Sequence, residues 1–250
     1  VLNNSVSINR IRESNLKIIQ TYRLLGQIEQ SKSRIEKLLL NDDFSSIKAD
    51  LRLELIKIEL NQGNVAFAIE SLDIIAQDYV NTKIAIEAYY ILSTLYLESP
   101  NLDFEKSNFF MNEAMKQNAN SSHKVLISNK RDAVANLVKL DQLLKEDDTV
   151  DKSDTFYRLG EILAFDLGNL NDSINYFENI VNNFEESSVF PSATFALYSI
   201  YNTQNNSRAS KYKDTILSLY PDSDFAKFII KDQDLNTSHK PSEMLLEAES

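Results

Sequence analysis

Turn-forming residues recur along this chain at a nearly constant interval, and that interval limits the folds open to it. Gly26, Gly63 and Pro100 each stand between apolar-periodic segments, 37 and 37 residues apart. Gly168 follows 68 residues later, twice 34, and Asn205, inside the polar run Asn202-Thr203-Gln204-Asn205-Asn206, follows 37 after that. A period in the mid-thirties, with a turn near its middle, has room for two helices of about three turns each. A Rossmann-type sheet or an all-β fold would need more glycine and proline for its turns than the four of each found here.

The segments between these marks carry helical periodicity. Ile47, Leu51, Leu55 and Ile58 recur at three- and four-residue steps, predicting a helix over Ile47–Leu60. After Gly63-Asn64 a second helix follows, with Val65, Ala68, Ile69, Leu72, Ile75 and Ala76 on one side. Gly63 suits the left-handed residue that ends a helix. The same plan predicts pairs Ile84–Leu97 with Phe104–Met115, Phe156–Leu167 with Leu170–Phe184, and Ala193–Tyr201 with Ala209–Tyr220. Pro191 is expected in the first turn of its helix, where its missing N–H costs nothing. A looser pair, Ile11–Leu25 with Ile28–Leu40, flanks Gly26.

Ser122 to Lys145 has no break near Ala133 and predicts one long helix ending at Glu146-Asp147-Asp148. The acidic run Glu146 to Asp154 then reads as a linker, with Ser153 or Asp154 capping the next helix. The expected organisation is about three helix pairs over 1–120, the long helix and linker over 121–152, and two pairs over 153–230. A polar tail over 231–250 is expected to fray, the alternative being a short docking helix at Met244, Leu245 and Leu246.

Phe156-Tyr157-Arg158-Leu159-Gly160-Glu161 resembles the Leu-Gly signature of a tetratricopeptide first helix, and Ser173-Ile174 and Phe177 resemble the small and aromatic residues of the second. Tyr220-Pro221-Asp222-Ser223-Asp224-Phe225-Ala226 resembles the junction between pairs in bacterial cell-envelope members, such as outer-membrane assembly lipoproteins and the periplasmic Tol-Pal coordinator. Phe184-Glu185-Glu186-Ser187-Ser188 and Tyr79-Val80-Asn81-Thr82 are fainter copies of that junction. The resemblance implies an all-α, right-handed superhelical solenoid of antiparallel helix pairs whose first helices line a concave groove. Aligned on the turn residues, it places Arg12, Asn15, Arg52, Tyr89, Ser93, Tyr157, Glu161, Phe195 and Asn202 on that groove. Tyr89 and Tyr157 are expected to expose part of their rings, while Tyr176, Phe177 and Tyr212, on second helices, are expected to pack.

The charge balance narrows the partners. A formal net charge of −11 repels nucleic acid and anionic membrane surfaces. No apolar run approaches the roughly 20 residues of a membrane span. Cysteine is absent, so disulfides and thiolate metal sites are absent with it. The chain starts at Val1 with neither a Met nor a basic-apolar signal segment, and reads as a mature or trimmed fragment.

Two histidines, His123 and His239, lie far apart, and no phosphate loop, His-x-x-x-His pair or nucleophile elbow is present. Asp232, Asp234, Asn236, Ser238, Lys240 and Glu243 have calcium-loop spacing. Thr237 stands where the sharp turn needs Gly, however, and Pro241 stiffens the segment, so no metal site is expected. The expected function is a non-catalytic scaffold without cofactor, holding a peptide or protein partner in a cell-envelope assembly, in the periplasm or at the outer membrane. The alternatives are an accessory region of a larger enzyme or secretion machine, and a cytoplasmic scaffold or co-chaperone.

Overall fold

The computed structural model describes residues 2–146 and 151–237, with side chains over 7–146 and 151–231. The described residues hold α-helices and no strand. Two compact units divide them, Val1–Ala135 and Asn136–Ser250.

In the first unit, α1 (Leu2–Leu24) and α2 (Ile28–Leu39) form a hairpin, followed by a 3-10 turn over Asp42–Ile47 that buries Phe44. Two further hairpins follow: α3 (Lys48–Asn61) with α4 (Val65–Asp78), and α5 (Lys83–Leu95) with α6 (Phe104–Lys116). The long helix α7 (Ser122–Glu146) runs unbroken, and the boundary between units falls inside it. The second unit continues with α8 (Lys152–Glu161), α9 (Leu170–Asn183), α10 (Phe190–Thr203), α11 (Arg208–Leu219) and α12 (Asp224–Thr237).

The turn residues act as their spacing predicts. Gly26, Gly63, Gly168 and Asn205 all have positive φ, between 52° and 83°, which lets the chain reverse after a helix end. Polar caps start several helices by giving the first free amides an acceptor. Thr82 Oγ1 accepts from the Ala85 amide of α5 at 3.3 Å, and Asp103 from the Lys106 amide of α6 at 2.9 Å. Pro191 sits in the first turn of α10.

Packing follows the apolar stripes. Ile19, Ile35, Leu51 and Ile58 form one fully buried cluster across α1, α2 and α3. In the second unit Phe177, Ile180, Leu197, Tyr212 and Ile216 anchor the core. Each such side chain contributes roughly 1.5–3 kcal/mol by leaving water. Gly160 is the tightest point. A Cβ there would stand 2.8 Å from Cε1 of the Phe177 ring, so α8 and α9 meet through a position with no side chain. Behind them, Glu178 Oε1 accepts from the hydroxyls of Tyr201 (3.0 Å) and Tyr212 (3.2 Å), tying α9 to α10 and α11. The two tyrosine rings stack 5.7 Å apart. Burial and the Glu178 carboxylate both push the Tyr212 hydroxyl's pKa upward. Burial, aided by Asp141, pushes Tyr176 up to about 12.

Four features differ from the sequence expectations. Asp151, not Ser153 or Asp154, caps α8, its Oδ1 accepting from both of those residues' amides at 2.9 and 3.3 Å. The Ser153 hydroxyl, bonded to the same oxygen, is the main cause that holds the Asp151 carboxyl below its ordinary pKa. The first helix of that pair does not run on as α-helix to Leu167. It continues as a π-helical turn, Ile162–Asp166, in which Leu167 N donates to Ile162 O. The chain after Tyr220-Pro221 forms α12, which extends into the segment expected to fray, with Asp232, Asp234 and Asn236 on its helical backbone. Ser238, Lys240, Glu243 and Met244–Leu246 lie outside the described residues. Finally, α1 starts well before Ile11.

Candidate functional site

In the first unit, the inner polar groups are largely spent on one another. Arg12 Nε donates to the Asp43 carbonyl at 2.6 Å, fastening α1 to the 3-10 turn. Asn15 Oδ1 accepts from Arg34 Nε and Nη2 at 3.0 and 2.7 Å, beside a shallow hollow of about 710 Å³ that Ser14, Ile18 and Arg34 help to line. Arg52 is exposed on α3.

Tyr89 and Ser93 do not belong to a groove. Tyr89 is 8% exposed and its ring lies 6.0 Å from Phe110, while Ser93 is fully buried. The Ser93 carbonyl accepts from Ser107 Oγ at 2.8 Å, knitting α5 to α6. Their register was misjudged because Pro100 is not equivalent to Gly63. Residues 96–103 separate α5 from α6, whereas only 62–64 separate α3 from α4. Tyr90, next in sequence, is the half-buried ring, 5.0 Å from His123.

A ladder of charges that sequence reading missed crosses the first helices of this unit. Arg23 Nε of α1 meets Glu54 Oε2 of α3 at 2.8 Å. Lys57 Nζ bridges Glu54 Oε1 at 2.8 Å and Glu87 Oε1 of α5 at 2.6 Å, and Gln20 Nε2 donates to Glu54 Oε1 at 3.3 Å. Burial works against the Glu54 charge, but Lys57 and Arg23 more than offset it and hold the carboxyl below its ordinary pKa. Asp50, half-buried on the first turn of α3, has the opposite environment. Burial first, then Glu87 and Glu54, pushes it up. The Glu54–Lys57 spacing was visible in sequence, but Arg23 and Glu87 lie 31 and 33 residues from Glu54 and only the fold joins them.

In the second unit the first helices leave some polar and aromatic side chains open. Tyr157 is half-buried, with its ring 5.7 Å from Phe177 and its hydroxyl hydrogen-bonded to Ser192 of α10. Burial and then the nearby Glu161 carboxylate push its pKa up. Glu161 and Asn202 are exposed. Phe195 is partly covered, stacked on Phe225 at 4.9 Å and edge-on to Phe228 at 5.6 Å, both from α12. The structure therefore brings Tyr157 and Glu161 onto one helix face beside α10. It adds two residues that sequence reading passed over, Phe165, 66% exposed, and Asp166, also exposed.

Among the described residues no three His, Asp or Glu side chains gather as a metal site, and no helix is long and apolar enough to cross a membrane. No protein-family model matches the chain, and no curated protein matches it. Two solved structures align with it. Pseudomonas aeruginosa PilF does so at 12% identity with a TM-score of 0.42, over 90% of this chain and 99% of that one. PilW, a widely conserved type IV pilus biogenesis factor, does so at 14% identity with a TM-score of 0.42, over 88% and 98%. At these values the chain is similar to both in its run of helices, and the likeness carries no inference about function.

Proposed function

We propose that this chain is a non-catalytic scaffold that holds a peptide or protein segment along the first-helix face of its second unit. One observation carries the reading: Tyr157 and Glu161, one turn apart on α8, Phe165 on the π-helical turn that follows, and Asn202 of α10 keep polar or aromatic surface open to solvent, with Ser192 of α10 beside the Tyr157 hydroxyl. Helix hairpins that stack by their apolar faces leave such surfaces for ligands, where a few aromatic anchors dominate affinity. A catalytic role has no comparable support. Glu54, whose carboxyl is held below its ordinary pKa, belongs to an ion ladder that holds helices together, and Asp50 is shifted the other way by burial beside it.

The cell-envelope assignment rests on the junction at Tyr220-Pro221-Asp222-Ser223. In the fold this segment ends α11 and starts α12, with Ser223 Oγ accepting from the Ala226 amide at 3.1 Å. Crosslinking in the native host, with a photoreactive residue in place of Asn202, tests both parts. A partner from the periplasm or outer membrane supports the reading. Exclusively cytoplasmic partners defeat the envelope assignment, and absence of any adduct at Asn202 defeats the face.

A further inference from the structure

Resting on that reading of the second unit, we infer that the face at the end of α8 recognises an arginine or lysine side chain of the bound segment. Three observations meet there. First, Phe165 is a 66% exposed ring carried on a π-helical turn, a backbone irregularity that recurs at functional sites. Second, Glu161 and Asp166, one turn before it and one residue after it, are exposed carboxylates near the C-terminal end of a helix. The helix dipole is negative at that end, so carboxylates are poorly placed unless a cation arrives. Third, no cation of the chain answers them among the described residues. Arg158, the nearest basic residue in sequence, is committed to Asp154 at 2.9 Å.

A cation on a long apolar stem fits this arrangement. Its stem and charge can lie over the Phe165 ring while its N–H groups reach Glu161 or Asp166. The wider field favours the same partner. Residues 136–250 hold 20 of the 37 acidic side chains but only 10 of the 26 basic ones, a formal charge of −10 out of −11. Such a field draws a basic segment toward this unit before contact.

The test titrates the full chain, labelled with nitrogen-15, with three capped synthetic peptides identical except at a central arginine, citrulline or glutamate. The arginine peptide is expected to shift the amide resonances of Tyr157 to Asp166. The citrulline peptide, which keeps shape but lacks charge, is expected to bind roughly fivefold more weakly, as loss of one partly exposed ion pair implies. Glu161→Gln and Asp166→Asn, both at exposed positions, should erase the difference between the two peptides, and Phe165→Ala should weaken both. Equal binding of arginine and citrulline peptides at these resonances overturns the cation inference and leaves the docking face standing. If the glutamate peptide binds best there, the charge sense is reversed and the inference falls alone. If no peptide shifts α8 or α10 at millimolar concentration, or the shifts lie elsewhere, the docking face and the inference fall together.

Discussion

Replacing Gly160 with alanine sets two effects of known sign against each other. Gly160 lies inside α8, where alanine is favoured over glycine by roughly 0.5–1 kcal/mol because it has less backbone freedom to lose. The new methyl would meet Phe177 Cε1, Cζ and Cδ1 at 2.8, 2.9 and 3.1 Å. Carbon atoms prefer about 3.5–4.0 Å, so the ring or the helix must give by roughly 0.7 Å or more. Phe177 is fully buried and has the Tyr157 ring 5.7 Å away, which leaves it little room to retreat. Overpacking of this kind costs about 1–3 kcal/mol, and after the propensity gain we expect a net loss of about 0.5–2 kcal/mol. The decisive comparison is a double-mutant cycle with Phe177→Leu, which removes the ring. In that background Gly160→Ala should become neutral or stabilising by roughly 0.5–1 kcal/mol, since only the propensity term remains. Urea unfolding read from α8 and α9 amide resonances isolates this unit from the other. Equal stabilisation by alanine in both backgrounds would refute the close approach as the reason for glycine.

The remaining expectations concern charges and a cap. Glu54→Gln should destabilise the first unit at neutral pH by about 2–4 kcal/mol, because Arg23 and Lys57 lose the carboxylate between them, with chemical denaturation as the measure. The lowered pKa of Glu54 makes its contribution present above the unfolded value and lost as pH falls through the folded one. Asp50 has the opposite sign: its raised pKa favours the fold at low pH and works against it as pH rises through the folded value. Asp50→Asn should therefore leave stability at pH 7 equal or higher and make the acid-induced loss steeper. An unchanged acid limb in thermal unfolding at stepped pH counts against this. Asp151→Ala should lower the stability of the second unit by about 1 kcal/mol through loss of the α8 cap, and Asp151→Ser should recover most of it, measured by the same denaturation.

The helix pairs were legible because glycine and asparagine report a backbone requirement directly. Gly26, Gly63, Gly168 and Asn205 occupy the left-handed conformations that their spacing suggested. The Leu159-Gly160 signature was legible for a related reason: a missing side chain marks a close approach, here to Phe177. Surface assignments fared differently. Tyr89 and Ser93 went astray because proline can stop a helix without fixing the length of the loop that follows, so the helical register slipped. The Arg23–Glu54–Lys57–Glu87 ladder was illegible because its members come from three hairpins, and no local period joins them. Phe165 was visible as a residue, but its exposure depends on a π-helical turn that no residue pattern announced.

The last helix among the described residues, α12, bears on where this protein can be cut. Judged by repeats, Tyr220 or the residues just before 231 would look like natural ends for a shortened chain. Phe195, however, rests against Phe225 and Phe228, and Ala226 and Ile229 are fully buried. A chain ended at Tyr220 would uncover that aromatic face, and one ended at 230 would shear α12 mid-length. The chain ended at Tyr220 would be prone to self-association for a reason unrelated to its biology, and binding seen with it would report the wound rather than the protein.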